Sequence, residues 1–362
     1  ERQADLIDAW IEHGTCREAA KATNISERNF LRSIAAVRKK AVAAGYVPLQ
    51  RTGETELYGP DGETRLLWVK RNKDKDETLK LLREIFEGFK ETIPRAKPVQ
   101  KFRPGDENLL NLFVLTDYHL GMKAWPEETG EAWDIEIADK LLVDWYQHAT
   151  KQAPKAKTAI LCQLGDFNHW DGLEPVTPTA FNNLDADTRF QLVVRTAIKA
   201  IRRVVKLLLT THEEVHMIMA EGNHDLASSV WFRELFHAFY EDDPRITVDT
   251  SPDPYYCYVH GDTSLFFHHG HLRKTSSVSE VLTGKFREEY GKTKFSYGHS
   301  GHLHQREVKE NSLMIWEQHP TLATKDAHAS RHGYLANRSA HVITYSKEHG
   351  EVARLTISPD MV

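Results

Sequence analysis

Five stretches of the chain share one pattern, a strand-length apolar run that breaks into glycine and clustered Asp or His. Leu112-Phe113-Val114-Leu115 runs into Thr116-Asp117-Tyr118-His119, and Ala159-Ile160-Leu161-Cys162-Gln163-Leu164 into Gly165-Asp166. Val215-His216-Met217-Ile218-Met219-Ala220 runs into Glu221-Gly222-Asn223-His224-Asp225. Leu265-Phe266-Phe267 runs into His268-His269-Gly270-His271, and Phe295-Ser296-Tyr297 into Gly298-His299-Ser300-Gly301-His302-Leu303-His304. Such runs predict short buried strands, and glycine permits the sharp exits.

Between and after these runs the period changes. Apolar residues at helical spacing predict helices over Trp133–Tyr146, Phe190–Leu209 and Trp231–Tyr240. Tyr255–His260 and Leu265–Phe267 flank Gly261-Asp262, a hairpin signal. The end of the chain is β-rich: Ser312–Glu317, His341–Tyr345 and Val352–Ile357, with Gly350 in the last turn. Residues 171–189 lack an apolar period and predict a long loop shaping the cleft. The sum is a layered α/β sandwich with mixed sheets.

The first hundred residues differ. Leu6, Ile7, Trp10 and Ile11 form the stripe of one helix, Thr15-Cys16-Arg17-Glu18 is a capping box for a second, and Ser26 precedes a third carrying Phe30, Leu31, Ile34 and Val37. This order is helix-turn-helix-like, and Arg28, Arg32, Arg38, Lys39 and Lys40 give the third helix a basic side. The same pattern also suits a small bundle docked on a partner. A hairpin is expected over residues 55–70 around Asp61-Gly62, and a charged surface helix over 71–92, before Pro94, Pro98 and Pro104 break the pattern. The expected domains are therefore 1–50, helix-turn-helix-like; 51–108, hairpin, charged helix and linker; and 109–362, catalytic.

Composition narrows the function classes. The chain has 362 residues, 40% hydrophobic and 27% charged, with a formal net charge of −5, so a nucleic-acid contact would have to be a local patch. Three cysteines exclude a disulfide framework, and no apolar run is long enough to cross a bilayer. Nothing at the start reads as a signal peptide, and a reducing cytoplasm is the expected compartment.

Many of the 20 histidines fall in the five motifs. Asp117, Asp166, Asn223, His119, His269, His302 and His304 offer oxygen and imidazole donors enough for two metal centres if one carboxylate is shared, and Asp166 stands alone after its glycine as that bridge. Two ions about 4 Å apart can clamp a phosphate and hold a nucleophilic hydroxide.

Asp117-Tyr118-His119, Gly165-Asp166, Gly222-Asn223-His224-Asp225, His269-Gly270 and Gly301-His302-Leu303-His304, in this order, resemble the signature of the calcineurin-like metallophosphoesterases over residues 110–305. The whole arrangement is similar to that of a phage or prophage member carrying an N-terminal helix-turn-helix-like module. The resemblance implies a four-layer sandwich of two mixed sheets flanked by helices. It implies one ion on Asp117, His119, Asp166 and His304, and another on Asp166, Asn223, His269 and His302. Mn²⁺ is the first expectation, with Fe²⁺, Zn²⁺ or Ni²⁺ as alternatives. His224 would act as general acid, with Asp225 orienting its ring.

Asn168, His169, Asp171, Arg273 and Lys274 are substrate-binding candidates, and Tyr118 and Trp170 either stack on a base or support their loops. The expected activity is hydrolysis of phosphodiesters by a nuclease, acting on DNA more than RNA. The alternatives are a phosphomonoesterase and a nucleic-acid-binding regulator with secondary phosphatase activity.

Overall fold

The computed structural model describes residues 105–273 and 277–362, and within the first hundred only 16–23, 25–26, 29–30, 54–58 and 64–69. The chain divides into two compact units, 1–81 and 82–362. In the first, helix α1 (Cys16–Ala22) follows the capping box, with Ala19, Ala20 and Phe30 buried. Strands β1 (Glu54–Tyr58) and β2 (Thr64–Val69) form the expected antiparallel hairpin. The first helix, nearly all of the third, and the charged helix over 71–92 lie outside the described residues.

The second unit holds two mixed sheets. In the larger, β3 (Asp106–Leu115), β4 (Ala156–Gln163), β5 (Glu214–Met219) and β6 (Ile246–Val248) run parallel, β12 (Ala340–Ser346) adds antiparallel to β3, and β13 (Gly350–Ile357) adds antiparallel to β12, in the order β13-β12-β3-β4-β5-β6. In the smaller, β8 (Thr263–Phe267), β9 (Phe295–Ser300) and β11 (Ile315–Gln318) are parallel, with β7 (Tyr256–His260) and β10 (Glu307–Glu310) antiparallel on the edges.

Alternation along β3 explains the layering. Leu110, Leu112 and Val114 meet Leu265, Phe267 and Tyr345 between the sheets. Phe113 and Leu115, one residue out of phase, meet the helices α3 (Ile135–Gln152), α4 (Phe190–Leu208) and α5 (Leu226–Tyr240). The smaller sheet turns Phe266 and Trp316 outward onto Val278 and Leu282 of α6 (Val278–Lys285). The result is the four-layer order helix, sheet, sheet, helix that the resemblance implies. Among the described residues no helix is long and apolar enough to cross a membrane.

A polar chain also crosses between the sheets. The Tyr345 hydroxyl lies 3.1 Å from His299 Nε2, His299 Nδ1 lies 2.9 Å from His319 Nε2, and His319 Nδ1 lies 2.9 Å from His341 Nδ1. Beside it Glu317 pairs with Arg354 at 2.8 Å and with Arg306 at 3.1 Å.

Two expectations change. Helix α5 begins at Leu226 rather than Trp231, because Asp171 accepts from the Ala227 and Ser228 amides at its first turn. Residues 171–189 do form a loop, but it does not line the cavity beside the candidate ligands; that wall is built by residues 321–338.

Candidate metal centre

Parallel strands deliver their C-terminal ends to one edge, and the candidate ligands sit there. Asp117 and His119 follow β3, Asp166 follows β4, and Asn223 follows β5. His269 follows β8, and His302 and His304 follow β9. Asp117, His119, Asp166, His302 and His304 all have positive φ, from 48° to 78°. Such a backbone is sparsely populated for residues with side chains and costs on the order of 1–3 kcal/mol at each. Strain this concentrated marks a site whose side chains must be aimed. Glycine permits the close approach: a Cβ on Gly222 would lie 2.0 Å from Asp166 Oδ1, and one on Gly301 1.8 Å from Thr116 Oγ1.

The donor atoms converge in two groups, Asp117 with His119 and His304, and Asp166 with His269 and His302, each within 4.8 Å. His119 Nε2 lies 3.2 Å from His304 Nε2, and His304 Nε2 lies 3.4 Å from Asp117 Oδ1. His269 Nδ1 must donate to the Leu164 carbonyl, 2.8 Å away, because a carbonyl only accepts. Its Nε2 then faces Asp166 Oδ2 at 3.2 Å, Asn223 Oδ1 at 3.3 Å and Asp117 Oδ1 at 3.9 Å. A lone pair confronting three oxygens needs a proton or a cation among them. Asp117 Oδ1 is buried and has no hydrogen bond, while Asp117 Oδ2 takes the Thr116 hydroxyl at 2.6 Å and the His302 amide at 2.8 Å. The residues therefore fit a pair of divalent cations, which suits mixed carboxylate, amide and imidazole donors.

The electrostatics point the same way. Burial works against the charge on Asp117, but His304 and His269 outweigh it and hold the carboxyl well below its usual range; His269 does the same for Asp166. Burial opposes the His269 proton, yet Asp166 and Asp117 raise its affinity to about 9. Burial first, and the nearby imidazoles second, push His119 well below its ordinary value and His169 to about 3.

The remaining site residues fall in definite places. The ring of His224 is held by its Nδ1 donating to the His169 carbonyl at 2.8 Å, not by Asp225. Asp225 instead accepts four backbone amides: Gly222 at 2.9 Å and Asp166 at 3.0 Å on Oδ1, Phe167 at 2.7 Å and Asn168 at 3.2 Å on Oδ2. It braces the two loops that carry Asp166 and Asn223. Asp171 is committed to helix α5, where it also takes the Ser228 hydroxyl. Asn168 and His169 are buried; His169 Nδ1 lies 3.2 Å from His119 Nδ1, and both amide atoms of Asn168 lack a hydrogen bond. Tyr118 and Trp170 are also buried, so they support their loops rather than offer a stacking surface. Arg273 lines a second cavity, of about 640 Å³, with His271, His302 and Lys309; Lys274 lies outside the described residues.

The wall of residues 321–338 carries none of the five motifs. The Asp326 cap, which accepts the Ala329 amide at 2.7 Å, and the Gly333 stop were its only sequence signals.

No family model and no curated protein matches the sequence. Solved structures do resemble the fold. A dimetal phosphatase from Danio rerio is 10% identical, with 70% of this chain and 99% of that one covered and a TM-score of 0.37. A novel archaeal phosphodiesterase is 13% identical, with 68% and 99% covered and a TM-score of 0.35. A predicted phosphoesterase from Streptococcus pneumoniae TIGR4 is 9% identical, with 69% and 98% covered and a TM-score of 0.29. These scores are low, and the chemistry rests on the side chains alone.

Proposed function

We propose that the protein is a metal-dependent phosphoesterase that hydrolyses phosphodiesters, with nucleic acid as the substrate class. The observation that carries this reading is the His269 Nε2 atom, 3.2 Å from Asp166 Oδ2 and 3.3 Å from Asn223 Oδ1, opposite a second group of donors around Asp117. Asp117, His119, Asp166 and His304 would hold one divalent ion, and Asp166, Asn223, His269 and His302 the other. Bound there, such ions neutralise charge on the phosphoryl group and lower the pKa of the attacking water.

The chain's own residues supply the rest. Leu164 O fixes the His269 tautomer, so Nε2 always faces the site. The His169 carbonyl engages Nδ1 of His224 and leaves Nε2 as its free nitrogen, on the wall of the 690 Å³ cavity beside the ligands. In the imidazolium form that nitrogen donates a proton to the leaving oxygen, a contribution of typically 10²–10⁴ in rate. Asp225 keeps the two loops in register while this happens.

The appended helix-turn-helix-like segment and its basic residues favour nucleic acid over a phosphoprotein. The test uses full-length protein reconstituted with Mn²⁺. Elemental analysis is expected to find two ions per chain, and bis-p-nitrophenyl phosphate is expected to be cleaved faster than p-nitrophenyl phosphate. End-labelled single- and double-stranded DNA and RNA then define the polymer. Absence of any bound transition metal would overturn the reading, and a clear preference for the monoester would move it to a phosphatase.

A further inference from the structure

The cavity beside the candidate ligands has a second wall that plays no part in holding ions. Helix α8 (Ala327–Arg331) stops where Gly333 enters the left-handed region, with φ 69°, and the Tyr334 amide turns back to the Ala329 carbonyl at 2.9 Å. This fold-back gathers three rings. His328 and His332 are 4.1 Å apart between centroids, and His332 and Tyr334 are 5.7 Å apart and within 18° of parallel. Tyr334 is 55% exposed and Leu335 76% exposed, although both line the same cavity as His224, Asn223 and His304.

The wall is anchored. Arg338 donates to the Leu322 carbonyl through Nε at 2.9 Å and Nη2 at 2.7 Å, pairs with Glu131, and lies over the Trp133 ring at 5.4 Å. Trp133 Nε1 in turn donates to the His119 carbonyl at 3.4 Å, and the Thr321 hydroxyl to the Asp117 carbonyl at 2.7 Å. The platform is thus rooted on the backbone of two candidate ligands.

Its chemistry selects a class of occupant. The guanidinium of Arg338 is already spent on Glu131 and Leu322, and Lys325 lines the cavity together with the acidic Asp326 and Glu131, so the formal charges of the wall cancel and it is no cradle for a second phosphate. It offers an aromatic face, the Leu335 side chain and the Asn337 amide, which match the flat π-face and polar edge of a nucleobase. We propose that residues 321–338 form a nucleobase platform, on which Tyr334 and Leu335 stack against the base of a nucleotide whose phosphate reaches the candidate metal centre on the opposite wall, beside Asp166, Asn223 and His304. This rests on the phosphoesterase reading and specifies its substrate.

The test titrates the full-length, Mn²⁺-loaded protein with adenosine 5′- and 3′-monophosphate and with ribose 5-phosphate by calorimetry. One of the two adenosine monophosphates is expected to bind at least tenfold more tightly than ribose 5-phosphate. In the Tyr334→Ala, Leu335→Ala double variant the advantage is expected to shrink to under threefold, with ribose 5-phosphate affinity and thermal midpoint unchanged. Tyr334→Phe should preserve it. For a dinucleotide substrate the double variant should raise KM about tenfold and leave kcat alone. Equal binding of the adenosine and ribose phosphates, or a base preference that survives in the double variant, would overturn the platform. So would tighter binding of a phosphoserine peptide than of either adenosine monophosphate. Wild-type protein that cleaves bis-p-nitrophenyl phosphate yet ignores the base would defeat the platform alone. Wild-type protein that binds two ions and hydrolyses no phosphoester would defeat the underlying activity.

Discussion

Replacing Asp225 by Asn tests whether a carboxylate that touches no substrate builds the centre. Its two oxygens accept four amides, two each, at 2.7–3.2 Å, and the residue is buried. Asn keeps one oxygen and presents an NH₂ group where the other stood, so two backbone N–H groups lose their acceptor and face a donor. Each buried donor left unmet costs about 1–3 kcal/mol, giving on the order of 4 kcal/mol in all. At roughly 2–3 °C per kcal/mol for a unit of this size, the melting midpoint should fall by about 10 °C. The loops so loosened carry Asp166 and Asn223, so metal affinity should drop by about 10–100-fold, as it does when residues supporting a metal's ligands are removed. Calorimetric melting of the metal-free protein and competitive titration with a fluorescent chelator measure the two effects separately. A variant that melts within about 2 °C of wild type and binds metal equally well would refute the brace.

Three further outcomes follow from the same geometry. His224→Ala should keep both ions and lose about 10²–10⁴ in kcat, since the ring acts on the leaving group; loss of bound metal would contradict that role. Gly222→Ala places a methyl 2.0 Å from Asp166 Oδ1 and 2.3 Å from the Asp166 amide, so it should destabilise the fold by about 1–3 kcal/mol and weaken metal binding; unchanged metal content would show that the loops give way freely. His212 is buried with Nε2 3.0 Å from the Asn111 amide nitrogen, and its pKa falls from 6.5 to about 4 chiefly through burial. The unfolded chain takes up that proton as pH drops below 6.5 while the folded chain does not. The stability is therefore whole above 6.5 and lost progressively down to about 4, by on the order of 3 kcal/mol. Urea unfolding of wild type and His212→Asn across this range should show a shallower pH slope in the variant, and parallel slopes would exclude the effect.

Local pattern made much of this molecule legible. Apolar runs ending in Asp or His located five strand exits, and the helical stripes from Ile135 and Phe190 marked α3 and α4. What stayed hidden depends on partners remote in sequence. Asp171 caps helix α5 from 56 residues away, while Asp225, the residue at the N-cap position itself, makes no cap bond. Asp225 stands next to His224 in sequence, but the chain turns its carboxylate to the amides of 166–168, which no spacing rule foretells. His299, His319 and His341 lie in three different strands or strand exits and become neighbours only when the sheets close. The platform of 328–335 is too short and irregular for a period to reveal.

That imidazole chain has a direction. If Tyr345 donates to His299, each ring must pass its hydrogen onward and His341 ends with an N–H that finds no acceptor, for its Nε2 has none. If the order reverses, His341 ends with a bare lone pair, and the phenol hydrogen must turn elsewhere. All three rings therefore change tautomer together or not at all. Nitrogen chemical shifts for the three histidines should report a single concerted arrangement, and one chemical change at Tyr345, such as its replacement by Phe, should be felt at His341 on the far side of the molecule's seam.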